Sequence, residues 1–436
     1  MSNLDRTTGQ QSRTQNVNAP HPPPWKIITA ACVGNALEWY DIAVYAYFSV
    51  YLAAAFFPSD DPFVSMLLTL GTFALSFFIR PIGALVIGSF ADRHGRKPGL
   101  TLTILLMFFG TLLIVITPPA HVIGLAAPAL IMVARLIQGF AAGGEFGSAT
   151  SLMMEHLPSR KAFAASWQFA SQAASSLLAG LIGISLTTWM PEEALHSWGF
   201  RIPFVVGLLV GPVGLYIRRH VPESPEFDKA NAPESGIAAI REVLGNQKIR
   251  LLVSMGTLAV STALTYFISY VPTYAVDNLG LAANTGFIAA TAGGLVLFIG
   301  APLAGLLADR FGRLPIMLPS AILVFVLVYF LFNLIEASPG LSLLVLLVVV
   351  LSLLKAFYYG PMASVLADTF PTRTRGTGLS LGYNLGVAVF GGLTPTIALW
   401  LTKTTGHASA PSYWVMLVAA LSAAALVSAN RLYRIK

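Results

Sequence analysis

The segment GSFADRHGRKPGL (Gly88 to Leu100) decides the fold, because the chain repeats it as GLLADRFGRLPIM at Gly305 to Met317. The two copies lie almost half the chain apart. A second pair of similar segments follows in each half, MMEHLPSRKAFAAS (Met153 to Ser166) and VLADTFPTRTRGTG (Val365 to Gly378). Each of these segments follows a long apolar run. The sequence therefore predicts two related halves with the same order of apolar segments and polar loops.

The composition indicates a membrane protein. Of the 436 residues, 56% are hydrophobic and only 10% are charged, which is too little charge to cover a soluble protein of this length. Apolar runs of about 20 residues recur, and a helix of this length crosses the hydrocarbon core of a bilayer. Only helices or closed barrels satisfy every backbone polar group in lipid. Because these runs are too long and too uniformly apolar for barrel strands, we predict an all-α integral membrane protein.

We predict twelve transmembrane helices, called spans one to twelve, in two bundles of six. The longest polar interruption separates spans six and seven and contains a possible short helix, SGIAAIREVLG. The predicted domains are a disordered tail (1–25), an N-terminal bundle (26–218), a linker (219–248) and a C-terminal bundle (249–436). The approximate spans are 27–55, 64–90, 100–117, 122–153, 162–187, 200–218, 249–276, 286–308, 315–334, 341–367, 377–401 and 411–430.

Positive charges set the predicted orientation. Most of the 26 lysine and arginine residues fall on one side of the membrane, whereas the opposite loops hold only Arg201 and Lys403. The positive-inside rule therefore places both termini in the cytoplasm. We attribute the net charge of +7 to this asymmetry and expect no nucleic-acid partner. The expected location is the cell membrane, and in a bacterium the inner membrane.

The sequence carries no pattern typical of an enzyme. Seven histidines and the single cysteine, Cys32, form no metal-ligand spacing. Neither a GxSxG sequence nor a P-loop occurs. We therefore expect no catalytic residue, no metal and no cofactor.

The loops and several span segments resemble a known family. The repeated G-x-x-A-D-R-x-G-R loop is similar to the signature of the major facilitator superfamily, and RLIQGFAAGGE (Arg135 to Glu145) resembles its second signature. GNALEWYD, FIRPIGALVIGSFADRHGRK, WGFRIPF and PESPEF together resemble the metabolite–proton symporter family. Within that family, SWQFASQ, YVPTY and FGGLTP are most similar to the citrate and tricarballylate symporters. The resemblance runs from about Trp25 to the C-terminus.

This resemblance implies the major facilitator fold, with substrate held between the halves near the midplane of the membrane. It also implies that the charged loops act as gates that break when the halves rock. The alternative is that these residues serve only topology and turn formation, since glycine permits a tight chain reversal. The candidate gating residues are Asp92, Gly95, Arg96, Asp309, Gly312 and Arg313.

Ionisable residues inside the spans are candidates for proton coupling, because a charge at the bilayer centre costs about 2.5–3.5 kcal/mol. Asp41 in span one and Arg135 in span four lie at similar depth, counting 1.5 Å per residue. The superfamily fold places these spans together, and we infer an Asp41–Arg135 pair. It either couples protons to transport or only locks the helices. Glu38 is a proton relay or a satisfied polar residue, and Glu145 a relay or a conformational lock.

Polar residues at helical spacing mark a candidate substrate cavity, although hydrogen bonding between helices is the alternative for each one. Buried cations in both halves suit a di- or tricarboxylate. Lys355 departs from the citrate-like pattern, in which this position is apolar. The candidate substrate-binding residues are Arg80, Arg135, Gln168, Gln172, Tyr266, Tyr270, Lys355 and Asn384.

The leading functional hypothesis is proton-coupled symport of a small organic polycarboxylate, with protons as the coupling ion and the monomer as the working unit. A symporter of a zwitterion or monoacid, such as betaine, proline, shikimate or an aromatic acid, is the alternative of the same class. The alternative of another class is a membrane receptor that binds its ligand without transporting it.

Overall fold

The computed structural model describes residues 24–94, 96–144, 150, 153–154, 157, 159–208, 211–212, 236–371 and 374–434. Within these ranges the regular secondary structure is helical, with no β-strand. Nearly all of the predicted tail and most of the predicted linker lie outside the described residues. The possible helix of the linker is confirmed as Gly236–Asn246.

The N-terminal half contains spans one to six. Span one runs from Pro24 to Tyr47 and continues after a turn at Phe48 as Ser49–Phe56. Span two consists of Pro62–Phe78 followed by Arg80–His94. The remaining spans of this half are Arg96–Ile116, Ala126–Ala141 with a 3-10 turn at Ala142–Gly144, Lys161–Trp189 and Gly199–Leu208.

The C-terminal half contains spans seven to twelve, at bounds that differ from the predicted ones by a few residues. Span eleven is interrupted by a π-helical segment, Val387–Gly392, a rare element that is frequent at functional sites. The six spans are Lys248–Asp277, Ala283–Phe311, Leu314–Ala337, Leu341–Thr369, Arg375–Thr405 and Pro411–Tyr433.

The lengths and surfaces of these helices fit a membrane protein. In the described part of the chain, eight helices are long and apolar enough to cross a membrane, and three shorter apolar helices accompany them. Large apolar side chains are exposed on their outer faces, including Leu68, Phe109, Leu303 and Phe330. A contiguous apolar surface of this kind is expected where a protein faces lipid.

Spans two and four pack backbone against backbone through glycines. A Cβ atom on Gly139 would lie 2.0 Å from the carbonyl oxygen of Ser76, and one on Gly143 would lie 2.1 Å from that of Arg80. On the opposite helix, a Cβ atom on Gly83 would lie 1.9 Å from the carbonyl oxygen of Phe140. Small residues at such spacing let membrane helices approach closely. This contact sets Arg80 directly beside span four.

The two halves contact each other along spans five and eight. Towards the outer side, a Cβ atom on Gly180 would lie 2.2 Å from the Thr291 hydroxyl. Towards the inner side, a Cβ atom on Gly305 would lie 2.9 Å from the backbone of Ala162 and Phe163. "Inner" here means the side predicted to be cytoplasmic. The two helices therefore form a continuous seam between the halves.

Further contacts on the outer side join spans one, seven and eight. The Ser49 and Thr273 hydroxyls are 2.6 Å apart. The rings of Phe48 and Phe287 approach to 5.2 Å between centroids. These contacts close the outer end of the interface at this point.

Contacts on the inner side join the halves as well. The Asn384 amide of span eleven donates a hydrogen bond of 2.8 Å to the Gly143 carbonyl of span four. The Asp309 carboxylate accepts hydrogen bonds of 2.9 Å from the backbone N–H groups of Ala162 and Phe163, where span five begins. With contacts on both sides, the polar residues at the centre are enclosed.

Candidate functional site

Five charged side chains are buried among the described residues. Each would be costly in lipid unless it is paired, neutralised or in contact with water. No described group of three or more histidine, cysteine, aspartate or glutamate residues is arranged to hold a metal ion. The five charged side chains are Glu38, Asp41, Arg80, Arg135 and Lys355, each at most 8% exposed.

Asp41 and Arg135 are connected by two intervening side chains, and the predicted direct ion pair between them is not formed. The Thr111 hydroxyl donates to Asp41 Oδ2 at 2.6 Å. Gln138 Nε2 donates to Thr111 Oγ1 at 2.8 Å, and Arg135 Nη1 donates to Gln138 Oε1 at 2.7 Å. The physical reason is that Thr111 of span three lies between spans one and four. Equal depth in the membrane therefore did not mean direct contact.

The direction of these hydrogen bonds makes Asp41 the end of the chain. Every donor points from Arg135 towards Asp41, so the carboxylate is the final acceptor. Hydrogen bonds in such chains polarise and strengthen one another. A proton added to Asp41 removes the charge on which the chain ends, which weakens the hold on the Arg135 guanidinium. Protonation of one residue is thereby transmitted to the other without direct contact.

Arg135 is surrounded by polar and aromatic groups of the N-terminal half. Its Nη2 donates to the Ser76 hydroxyl at 3.2 Å. Its guanidinium carbon lies 4.4 Å from the centroid of the Tyr45 ring and 5.2 Å from that of Phe73. Ring faces attract cations, most strongly when water is excluded. Arg135 is thus held in place by interactions that tolerate loss of the carboxylate charge.

Glu38 is near Arg80, an arrangement that the sequence did not predict. Glu38 Oε1 and Arg80 Nη2 are 3.8 Å apart, and both side chains are buried. The Arg80 guanidinium also lies 4.4 Å from the centroid of the Phe77 ring. Of the two predicted roles for Glu38, a paired polar residue agrees with this geometry, while a relay role stays a prediction.

Tyr266 of span seven lies where the two halves meet. Its ring is in contact with those of Trp39, Phe73 and Phe77, at centroid distances of 6.0, 5.8 and 4.9 Å. Its hydroxyl interacts electrostatically with Arg80, Glu38 and Arg135 in one half and with Tyr359 in the other. The side chain is fully buried, and the hydroxyl has no hydrogen-bond partner in the described part of the chain. Tyr266 therefore has the position predicted for a substrate-binding residue.

Lys355 of span ten also lies at the interface between the halves. Its Nζ atom is 4.8 Å from the centroid of the Tyr359 ring. That ring stacks on Phe169 of span five at 4.0 Å, and the Tyr359 hydroxyl is 2.6 Å from the Thr265 hydroxyl. No carboxylate among the described residues pairs with Lys355. Its charge is therefore available to an anion that enters from between the halves.

The two candidate glutamines of span five have different surroundings. Gln168 Nε2 donates to Asn35 Oδ1 at 2.8 Å, and Asn35 Nδ2 in turn donates to the Gln168 carbonyl at 2.8 Å. Gln168 therefore joins spans one and five, which agrees with the alternative that this residue forms hydrogen bonds between helices. Both amide atoms of Gln172 are buried without a partner among the described residues. Gln172 lies about one helical turn from Phe169, whose ring stacks on that of Tyr359.

Tyr270 and Asn384 both form hydrogen bonds within the protein. The Tyr270 hydroxyl is 3.4 Å from Asn278 Oδ1, near the outer end of span seven. Asn384 forms the inner contact with Gly143 between the halves. Both polar groups are used in these contacts, and the prediction that the two residues bind substrate stays a prediction.

The second copy of the repeated loop has the geometry expected of a gate. Gly312 has a φ of 93°, a conformation that side-chain-bearing residues rarely adopt. Asp309 binds the start of span five, and Arg313 forms an ion pair with Asp368 at the end of span ten. These interactions join three spans on the inner side. That they open and close during transport stays a prediction.

Some predicted residues lie outside what the structure describes. Gly95 and Glu145 are not among the described residues, and the side chains of Asp92 and Arg96 are likewise outside the description. The proposed roles of the first gating loop and of Glu145 therefore stay predictions.

The sequence analysis did not single out Thr111, Ser76 or the aromatic residues around Tyr266. A signal for Thr111 exists, because Thr103 and Thr111 are eight residues apart in an otherwise apolar helix and hence lie on one face. No comparable signal exists for Phe73 and Phe77, since an aromatic residue in a membrane helix is also expected to face lipid or the core.

Solved structures with a similar arrangement of helices confirm the fold. The crystal structure of a D-xylose–proton symporter superposes with a TM-score of 0.73 over 94% of this chain and 97% of that chain, at 18% sequence identity. At this identity the comparison establishes the architecture of two six-helix bundles.

The family is established by sequence. The family model of the Major Facilitator Superfamily matches residues 31–298 and 279–434. A citrate–proton symporter of Salmonella typhi is 36% identical over 90% of this chain and 91% of its own length. A proline/betaine transporter of Escherichia coli K12 is 35% identical over 90% and 81% of the two chains, and an alpha-ketoglutarate permease of the same strain is 35% identical over 91% of each. The chain belongs to the major facilitator superfamily and is a multi-pass membrane transporter, not an enzyme.

Proposed function

We propose that the protein is a proton-coupled symporter that takes up a small organic polycarboxylate, such as citrate or a related di- or tricarboxylate, by alternating access. The observation that carries this proposal is the charge of the enclosed centre. The described residues bury three basic side chains, Arg80, Arg135 and protonated Lys355, together with two carboxylic acids, Glu38 and Asp41. One positive charge is unbalanced when both carboxylates are ionised, and three are unbalanced when both are protonated.

This charge balance suits a multivalent anion. An arginine side chain stays protonated under all ordinary conditions. The charge of the central group can therefore change only at Glu38, Asp41 and Lys355, and of these the two carboxylic acids are the groups that become neutral on taking up a proton. A di- or tricarboxylate that enters with the protons would neutralise the cations that are left. Proton and anion then stabilise each other's binding, which is the thermodynamic requirement for coupling two sites.

Two relatives carry names that fit the proposal, a citrate–proton symporter and an alpha-ketoglutarate permease. Both cover about nine-tenths of this chain. Arg80 and Arg135 come from the N-terminal half and Lys355 from the C-terminal half, so an extended anion with carboxylates at both ends could be held by both halves at once. An anion bound in this way would neutralise basic residues of both halves when the carrier is closed around it.

A zwitterionic substrate is the second candidate, and one observation favours it. The rings of Trp39, Phe73, Phe77 and Tyr266 form an aromatic group beside the buried charges, and aromatic rings are well suited to quaternary ammonium groups. A proline/betaine transporter is also a relative at 35% identity. In that case an arginine would bind the single carboxylate, and Lys355 would have no anion to bind.

Uptake into proteoliposomes distinguishes these proposals. With purified protein and an inward proton gradient, we expect accumulation of radiolabelled citrate or 2-oxoglutarate, inhibition by unlabelled tricarballylate, and loss of accumulation when a protonophore collapses the gradient. Accumulation of radiolabelled glycine betaine or proline, with no uptake of carboxylates, would instead establish the zwitterion carrier. Saturable binding of a carboxylate without any transport would indicate a receptor.

Lys355→Met tests the multivalent anion directly. Because a hydrogen bond to a charged group is worth about 1.5–3 kcal/mol, we expect the affinity for citrate to fall about 10- to 100-fold. The affinity for glycine betaine, if measurable, should stay within about twofold of wild type. Binding is measured by competition against a labelled substrate in proteoliposomes.

The matched control is Lys403→Met, which removes an exposed lysine at the outer end of span eleven. It should leave every affinity unchanged. An equal loss of affinity for all substrates in Lys355→Met would show that Lys355 supports the fold and does not contact the anion.

A further inference from the structure

A small cavity lies inside the N-terminal bundle and borders Asp41 and Thr111, at the end of the hydrogen-bond chain from Arg135. It lies between spans one, three and six and has a volume of about 40 Å³. Because one water molecule needs about 10–15 Å³ of such volume, the cavity has room for roughly two or three waters. Its lining includes Gly34, Glu38, Asp41, Thr103, Thr111 and Gly207.

The lining residues follow one face of each helix. On span three, Thr103, Met107 and Thr111 are spaced four residues apart, and on span one Gly34, Glu38 and Asp41 share a face. Eight residues of helix from Thr103 to Thr111 correspond to about 12 Å. The cavity therefore follows the helix axes from the level of Asp41 towards the inner side of the membrane.

Glycines on span six keep this space open beside Asp41. A Cβ atom on Gly207 would lie 2.6 Å from Asp41 Oδ1, and one on Gly211 would lie 3.2 Å from the Phe108 ring. Both glycines line the cavity. Any larger residue at these positions would push against the carboxylate or close the path below it.

The two oxygens of Asp41 have different surroundings. Oδ2 accepts the Thr111 hydroxyl, whereas Oδ1 is buried and has no hydrogen-bond partner in the described part of the chain. A buried carboxylate oxygen without a partner is unusual, because buried polar atoms are nearly always hydrogen-bonded to protein or water. The side of Asp41 that carries this free oxygen borders the cavity.

We propose that this cavity, the span one–three–six cavity, holds water and is the route by which Asp41 releases its proton to the inner side, separate from the substrate path between the halves. This inference rests on the proposed function, in which Asp41 carries the coupled proton. In this arrangement the substrate moves between the two halves, past the buried basic residues of spans two, four and ten, while the proton leaves through the interior of the N-terminal bundle. The two paths meet at the side chains of span one.

The step itself is a simple proton transfer. The O–H bond of the neutral Asp41 carboxyl breaks, a water in the cavity accepts the proton as a hydronium, and the carboxylate keeps the electron pair. The charged groups around Asp41 favour this direction. Arg135, acting through Gln138 and Thr111, stabilises the carboxylate that remains. Glu38 borders the same cavity on its inner side, while its Oε1 atom is 3.8 Å from Arg80.

Substitutions at Thr103 test the route without touching Asp41. Thr103 is buried at the inner part of the cavity, and its hydroxyl donates to the Gly99 carbonyl of its own helix. Thr103→Leu fills the cavity with an apolar side chain, whereas Thr103→Ser keeps the hydroxyl and the space. Two transport modes are measured in proteoliposomes, uptake driven by a proton gradient and exchange of labelled for unlabelled substrate at equal pH. The probes are citrate, 2-oxoglutarate and glycine betaine, and the one with the highest wild-type uptake is used.

Exchange requires only that the loaded carrier reorients, so it needs no release of the proton. For Thr103→Leu we expect gradient-driven uptake to fall at least about tenfold, while exchange stays within about twofold of wild type. Thr103→Ser should match wild type in both modes. Retained exchange also demonstrates that the variant is folded. Should Thr103→Leu fail to reach the membrane, Gly211→Ala narrows the same cavity and carries the same prediction.

The results separate the route from the proposed function. Wild-type uptake in Thr103→Leu, together with lost uptake in Asp41→Asn, would overturn the route and leave Asp41 as the coupling residue. An equal loss of uptake and exchange in Thr103→Leu and Gly211→Ala would also overturn the route, because it would show a structural effect. Wild-type accumulation in Asp41→Asn would show that Asp41 does not carry the coupled proton, which also overturns the route. Failure of the proposed function itself would appear as the absence of proton-driven carboxylate uptake in the wild type.

Discussion

Replacing Asp41 with asparagine is expected to abolish accumulation of substrate against its gradient, down to the level of vesicles without protein. Asparagine is nearly isosteric and can still accept a hydrogen bond from Thr111, but it cannot bind or release a proton. The variant therefore resembles the protonated state permanently, and the carrier cannot complete the return step that depends on deprotonation. Exchange of substrate at equal pH should persist, since it needs no proton release.

The fold should tolerate this change. Asp41 forms no direct ion pair with Arg135, so the substitution breaks no charge–charge contact. Arg135 also retains Gln138, Ser76 and the ring of Tyr45. Asp60→Asn, in the exposed loop after span one, is the matched control and should transport as wild type does. Uptake driven by a proton gradient and the melting temperature of the purified protein are the two measurements. Accumulation at the wild-type level in Asp41→Asn would remove Asp41 from the mechanism.

Gly139→Ala is expected to destabilise the protein strongly. The added Cβ atom would lie 2.0 Å from the Ser76 carbonyl oxygen, a backbone atom that cannot move unless span two moves away from span four. Overpacking of this kind costs about 1–3 kcal/mol and sometimes more. The shift would also disturb the Ser76–Arg135 contact, so transport should fall with stability.

Gly71→Ala provides the matched control, because nothing lies within 4 Å of a Cβ atom at that position in span two. Alanine is a better helix former than glycine by about 0.8–1.0 kcal/mol, so Gly71→Ala should be neutral or slightly stabilising. The measurement is the apparent melting temperature in detergent, together with the yield of monodisperse protein. Equal melting temperatures for the two variants would contradict the close packing of spans two and four.

The sequence predicted the fold because its signals are long and redundant. Each span is a run of apolar residues, and the loop around Asp309 repeats the one around Asp92. An error of a few residues at the end of a span therefore does not change the predicted fold. The break in span two before Arg80 and the π-helical segment Val387–Gly392 were not predicted. Both depend on local packing against other spans, which a hydrophobic pattern does not contain.

The site was predicted only in part, for a physical reason. Counting residues along a helix gives the depth of a side chain in the membrane but not its lateral distance from another helix. Asp41 and Arg135 were therefore expected to touch, whereas Thr111 and Gln138 lie between them. The proximity of Glu38 on span one and Arg80 on span two depends on how these two helices lie against each other and was not foreseen.

Candidates chosen from a polar stripe gave mixed results for a related reason. A helix face carries residues at the centre and at both ends of the membrane. Tyr266 lies among the central charges, but Tyr270, one turn further along span seven, already lies near Asn278 at the outer end. The same residue types bind substrates and join helices. Only the contacts in the structure distinguish Gln172, whose amide has no partner among the described residues, from Gln168, which is bonded to Asn35.

Proton movement caused by the substrate is the most direct test of the central claim, that buried carboxylates exchange protons as an anion binds and is released. Proteoliposomes are filled with the pH-sensitive dye pyranine at equal pH on both sides, and citrate or 2-oxoglutarate is added outside. We predict acidification of the lumen that follows substrate uptake in the wild type and is absent in Asp41→Asn. Uptake of substrate by the wild type without any change in lumenal pH would contradict the account.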